Sequence, residues 1–140
     1  MMLFLDISGH KAPRRRCKDA VMWFMADHMP RHKIDIEVHH RGLLREGVYG
    51  WCSVRDNDYR PRCFLIEIHN RLNIEQYLRV LFHELVHVHQ HVKGDLRDKG
   101  SLRLWKGVDY TESDYQDQPW EIEAHRTEKV LYEHYSMSKL

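Results

Sequence analysis

Apolar and polar positions along the chain change period several times, and each change predicts an element. Between Pro13 and His28 the apolar residues Ala20, Val21, Phe24 and Met25 recur at helical spacing, and Pro30 helps end the run, which predicts a helix. "KIDIEVHH" then alternates strictly, with Ile34, Ile36 and Val38 on one face and Lys33, Asp35 and Glu37 on the other. Period two over this length predicts a half-buried strand. "GVYGWCSV" (47–54) and "RPRCFLIEIH" (60–69) predict two more strands, joined as a hairpin through the turn-forming "RDNDYRP". Pro61 cannot donate to a ladder, so the third strand is expected at a sheet edge.

After Asn73, a helix cap with Gln76 three residues on, the period becomes 3.6 and runs to about Val92, and Gly94 ends the helix. The segment 94–118 is polar and irregular, with a short helical turn expected around "LRLW". Pro119 opens a final helix, "PWEIEAHRTEKVLYEHY", in keeping with proline's preference for the first helical position. The predicted order is an N-terminal helix, three short strands, a long helix, a loop and a C-terminal helix, an α+β arrangement.

Length and composition narrow the class. A chain of 140 residues without repeats or Pro/Gly/Ser linkers is expected to form one domain, 1–140. Hydrophobic residues at 42% and charged residues at 31% point to a folded, soluble chain. A formal net charge of +1 argues against generic attraction to nucleic acid or acidic membranes, and "RRRCK" near the start is read as a solvated helix face. No apolar run approaches the roughly 18 residues that span a bilayer. The first residues place the basic cluster after the apolar ones, the wrong order for a secretory signal. Cys17, Cys52 and Cys63 are widely spaced and form no CxxC pair. They are read as reduced thiols of a cytoplasmic protein.

The histidines change the picture. There are twelve, six of them between His69 and His125, and "HELVHVHQH" (83–91) packs four histidines and a glutamate into nine positions of a largely aliphatic helix. Polar groups in such a run are costly unless something pairs with them. His83 and His87 stand one turn apart, about 6 Å along the axis, where two imidazoles can close on one metal ion. Glu84 sits beside the first histidine, placed to act on metal-bound water as a general base rather than as a ligand. This is the H-E-x-x-H arrangement of zinc peptidases. His91 is about 12 Å of axis from His83, too far to share the ion, and His89 points to a different face. Both are expected at the solvent or behind the ligands.

A catalytic zinc site takes three protein ligands, and the final helix offers Glu121, Glu123 and His125 within "PWEIEAHR". Glu121 and Glu123 lie about 200° apart around a helix, so only one can face the ion. The pairing of "HELVH" with a downstream "EIEAH" resembles the gluzincin branch of zinc metallopeptidases, and in particular their single-domain minigluzincin members. The likeness covers roughly residues 34–130, with only the two short motifs specific. It implies a zincin-like fold, one zinc ion, and Glu121 as third ligand, with Glu123 the runner-up. In that family an aspartate often supports a ligand histidine where this chain has His125. A histidine cannot accept from an imidazole N–H as a carboxylate does, so the support must come from elsewhere, with Glu128 or a backbone carbonyl the candidates. SprT-like proteases are a weaker resemblance, because this chain has no further histidine between His91 and His125 and no paired cysteines.

The function these features predict is a zinc-dependent metallopeptidase of narrow specificity. Its peptide or protein substrate is expected to add as a strand along 62–69. Tyr110 or Tyr115 could donate to an oxyanion near the site. The alternative is a non-catalytic zinc-binding scaffold or regulatory module. Glu84 discriminates between the two, since a purely structural zinc site has no use for a general base.

Overall fold

The computed structural model describes residues 2–56 and 59–140; Asn57 and Asp58 of the expected hairpin turn lie outside the described residues. The fold is α+β. It opens with a strand that the sequence reading did not assign, β1 (Met2–Gly9), followed by α1 (Arg14–His28) and β2 (Lys33–Arg41). β1 and β2 pair in parallel, so α1 is the crossover of a β-α-β unit. The strand is partly disguised in sequence. Leu3, Leu5 and Ile7 pack on the core in alternation, but the outward positions include Met2 and Phe4, each about half exposed, so the run looks uniformly apolar.

β3 (Gly50–Val54) and β4 (Cys63–His69) form the expected antiparallel hairpin, and β4 also pairs in parallel with β2. The sheet order is therefore β1-β2-β4-β3. This corrects the edge placement of 62–69: both sides of β4 are occupied, and its ladder starts at Cys63, two residues beyond Pro61. The free antiparallel edge is β3. Ile34, Ile36 and Val38 of β2 and Phe64, Ile66 and Ile68 of β4 are buried under the helices, while Lys33 and Asp35 face outward.

α2 (Ile74–Lys93) starts at a full capping box, with Asn73 Oδ1 accepting from the Gln76 N–H and the Gln76 side chain accepting from the Asn73 N–H. It stops at Gly94, whose φ of 84° is the left-handed conformation that glycine adopts without strain. α3 (Pro119–Ser138) packs along α2, with Ala124, Glu128, Leu131 and Tyr135 buried. No helix among the described residues is long and apolar enough to cross a membrane.

Between α2 and α3 the chain is not irregular. It forms a three-stranded antiparallel meander, β5 (Leu96–Lys99), β6 (Leu102–Trp105) and β7 (Val108–Asp109), so "LRLW" is a strand and not a helical turn. Turn chemistry explains the difference. Lys106 and Gly107 both take positive φ, the tight-hairpin pattern that brings Val108 back onto Trp105. Leu96 and Trp105 bury against Trp120 at the start of α3 in a small second core, which sets this sheet beside α2.

Candidate metal centre

The helical phase of α2 turns His83, Glu84 and His87 towards α3 and β3, leaving each under a tenth exposed. The rings of His83 and His87 lie with centroids 4.8 Å apart. Glu121, in the first turn of α3, places one carboxylate oxygen 2.8 Å from His83 Nε2 and 3.1 Å from His87 Nε2. The three ligand atoms fall within 4.8 Å of one another. Ligands arranged tetrahedrally at 2.0–2.1 Å from a zinc ion stand about 3.3 Å apart, so a small closed cluster of this kind fits the ion.

The far nitrogens of both rings are held. His83 Nδ1 is 3.1 Å from Glu128 Oε1, and His87 Nδ1 is 2.8 Å from Gln90 Oε1. Both partners are acceptors, so each Nδ1 carries a proton, and in a neutral ring Nε2 would turn its lone pair towards Glu121. With both rings neutral, three lone pairs would converge on one point that a cation could occupy. Without an ion the cluster draws its positive charge as a second proton on His83. Burial acts to lower the His83 pKa, yet the bonds to Glu121 and Glu128 outweigh it and push it up to about 10. Burial likewise acts to raise Glu121, and His83 and His87 nevertheless hold it well below the usual carboxylate range.

Behind the cluster the supports are themselves anchored. Arg79 Nε donates to Glu128 Oε2 at 3.3 Å, and Gln90 donates to the Trp120 carbonyl at 3.0 Å and to Glu123 Oε1 at 3.1 Å. The runner-up ligand Glu123 is therefore turned away from the histidines and steadies Gln90. His125 is not in the triad either. Its Nδ1 lies 3.2 Å from Glu128 Oε1 and its Nε2 lies 2.9 Å from the Tyr115 hydroxyl, which also donates to Glu121 at 3.2 Å. Of the two tyrosines, Tyr115 reaches the site and Tyr110 does not. Tyr110 packs edge-on against Trp120, with ring centroids 6.3 Å apart, in the second core.

Glu84 has no hydrogen-bond partner among the described residues and lines the cleft over the cluster, a cavity of about 710 Å³. Burial pushes its pKa up to about 7. The cleft's opposite lip is β3, which approaches α2 closely because Gly50 has no side chain. A Cβ there would lie 2.7 Å from Val80 Cγ1 and 3.3 Å from Glu84 Oε2.

For His91 and His89 the structure corrects the solvent-facing half of the expectation. His91 is 3% exposed, packs on Phe64 and lines the cleft, and half-buried His89 lies between Phe24 and His28 at the α1–α2 contact, so neither faces solvent. Sequence reasoning also passed over Gln90, although its position three residues after His87 puts it on the same helix face. Gly50 and Arg103, which also line the cleft, carry no motif.

Comparison with known proteins returns no match: no family model, no curated protein and no solved structure corresponds to this chain.

Proposed function

We propose that the protein is a zinc-dependent metallopeptidase with a zincin-type site. The observation that carries this reading is the convergence of His83 Nε2, His87 Nε2 and Glu121 Oε1 beside an unbonded, buried Glu84 in an open cleft. His83, His87 and Glu121 would hold the ion, with Glu128 and Gln90 orienting the two imidazoles. Bound there, zinc would acidify its water and polarise the scissile carbonyl.

The chain's own residues supply the rest. Glu84, buried and free of hydrogen-bond partners among the described residues, would take a proton from the attacking water and pass it to the leaving amine. The Tyr115 hydroxyl, already beside Glu121, is near enough to donate to a developing oxyanion. β3 offers its unpaired edge to an extended peptide lying in the cleft, the role first sought in residues 62–69.

The experiment pairs metal analysis with cleavage of a broad peptide library. Unaltered protein should carry about one zinc per chain and cleave. Glu84→Gln should keep its zinc and lose at least about a thousandfold in rate. Glu121→Ala should lose zinc. A protein that holds zinc yet cleaves nothing, with Glu84→Gln indistinguishable from it, would instead be a zinc-bound scaffold.

A further inference from the structure

One stretch of the cleft wall plays no part in the chemistry above. Arg103 from β6, His91 near the end of α2 and Trp120 from the first turn of α3 meet there. The Arg103 guanidinium carbon sits 5.2 Å from the Trp120 ring centroid. Among the residues lining the cleft, Arg103 is the one lysine or arginine, whereas Glu84, Glu121 and Glu128 all contribute carboxylates.

This wall is rich in N–H groups that lack acceptors. Trp120 is 1% exposed, and its Nε1–H, which can only donate, has no partner among the described residues. Arg103 Nε is also buried without a hydrogen bond. It lies 3.1 Å from Asp98 Oδ1, but not in hydrogen-bond alignment. Native proteins leave few such groups unpaired. Of the three buried unpartnered side-chain atoms found among the described residues, two belong to this wall.

Indole and guanidinium present donors only, which suits a planar acceptor-only anion; Asp98, which does not line the cleft, balances the Arg103 charge at Nε and leaves the terminal nitrogens for such a group. Elsewhere in the cleft a second carboxylate would meet Glu84, Glu121 and Glu128, so the Arg103 end is where one can be held. We propose that Arg103 and Trp120 bind a carboxylate of the peptide substrate, from an Asp or Glu side chain near the scissile bond or from a free C terminus. The inference rests on the peptidase reading for the occupant of the cleft and adds the class of peptide selected.

The test uses acetylated octapeptides with a single Glu or Gln at each position in turn, made both as C-terminal acids and as amides. Binding is read by calorimetry on the zinc-loaded Glu84→Gln protein, and cleavage is read on unaltered protein. The expected result is about a tenfold or greater advantage for the carboxylate member of one matched pair. A Glu/Gln difference at one internal position identifies a side chain; an acid/amide difference identifies the terminus. Arg103→Gln should bring that ratio close to one, and Arg103→Lys should keep part of it. Equal binding of every pair to the Glu84→Gln protein with equal cleavage by unaltered protein, or a preference that survives Arg103→Gln, would overturn the inference and leave the peptidase proposal standing. Failure of all peptides to bind or be cleaved would overturn both.

Discussion

Glu128 shows how much of the site depends on one side chain that is not a ligand. Its Oε1 is shared by His83 Nδ1 and His125 Nδ1, and its Oε2 accepts from Arg79. A carboxylate one turn beyond His125 does what His125 cannot, and supplies the acceptor that a ligand imidazole requires. Glu128→Gln keeps the shape but removes the charge and half of the acceptor capacity. It should weaken zinc binding by about 10- to 100-fold, as measured by competition with a chromogenic chelator. Glu123 acts one step further away, through Gln90, so Glu123→Gln should have the smaller effect. An affinity unchanged in Glu128→Gln would remove Glu128 from the support of His83.

The apposition of β3 and α2 decides whether a cleft exists at all. β3 ends its pairing at Gly50, opposite Ile68, and it is there that the strand passes over Val80 and Glu84. A larger residue must push apart two elements that the hairpin and the capped helix otherwise hold in place. Gly50→Val should destabilise the fold by about 1–3 kcal/mol, visible as a lower urea midpoint, because a Cβ would also crowd the Glu67 carbonyl at 3.1 Å. It should reduce peptide cleavage more than zinc content, since Glu84 is touched and the ligands are not. Equal loss of both would mean that the clash spreads through α2. The small β5–β7 sheet has the complementary role, closing the cleft with Arg103 and seating Trp120 in its own core.

Across the whole molecule, a buried polar chain ties the N-terminal β-α-β unit to α2. His40 Nδ1 donates to the Ser8 carbonyl at 2.8 Å and its Nε2 accepts from the Tyr77 hydroxyl at 2.8 Å. Burial lowers the His40 pKa despite the bond to Ser8, so the folded protein keeps this ring neutral. The unfolded chain takes up a proton near pH 6.5. The sign follows: this contribution is complete above about 6.5 and is lost as pH falls below it. His40→Gln removes the titration, so unaltered protein should lose stability relative to the variant between pH 7.5 and 5. Urea midpoints measured across that range, with chelator present throughout, check the slope. Parallel curves would show that His40 titrates in the fold as it does in the open chain.

Periodicity and caps along the chain were enough to predict α1, α2 and α3, the alternation of β2 and the β3–β4 hairpin, because each depends on neighbours a few residues apart. The H-E-x-x-H spacing needs only the pitch of one helix, so His83, Glu84 and His87 were legible from letters alone. Strand order was not. Pro61 suggested an edge, but hydrogen bonding begins at Cys63, and β1, hidden in an apolar run, adds the strand that makes the sheet four wide. The choice among Glu121, Glu123 and His125 also lay beyond local pattern, since all three occupy one helix turn and only the packing of α3 on α2 decides which faces the histidines. Local sequence set the donors in place on their helices. Which donors meet, and which wall closes over them, depends on contacts between residues 30 to 50 positions apart, where no repeat in the chain records the partner.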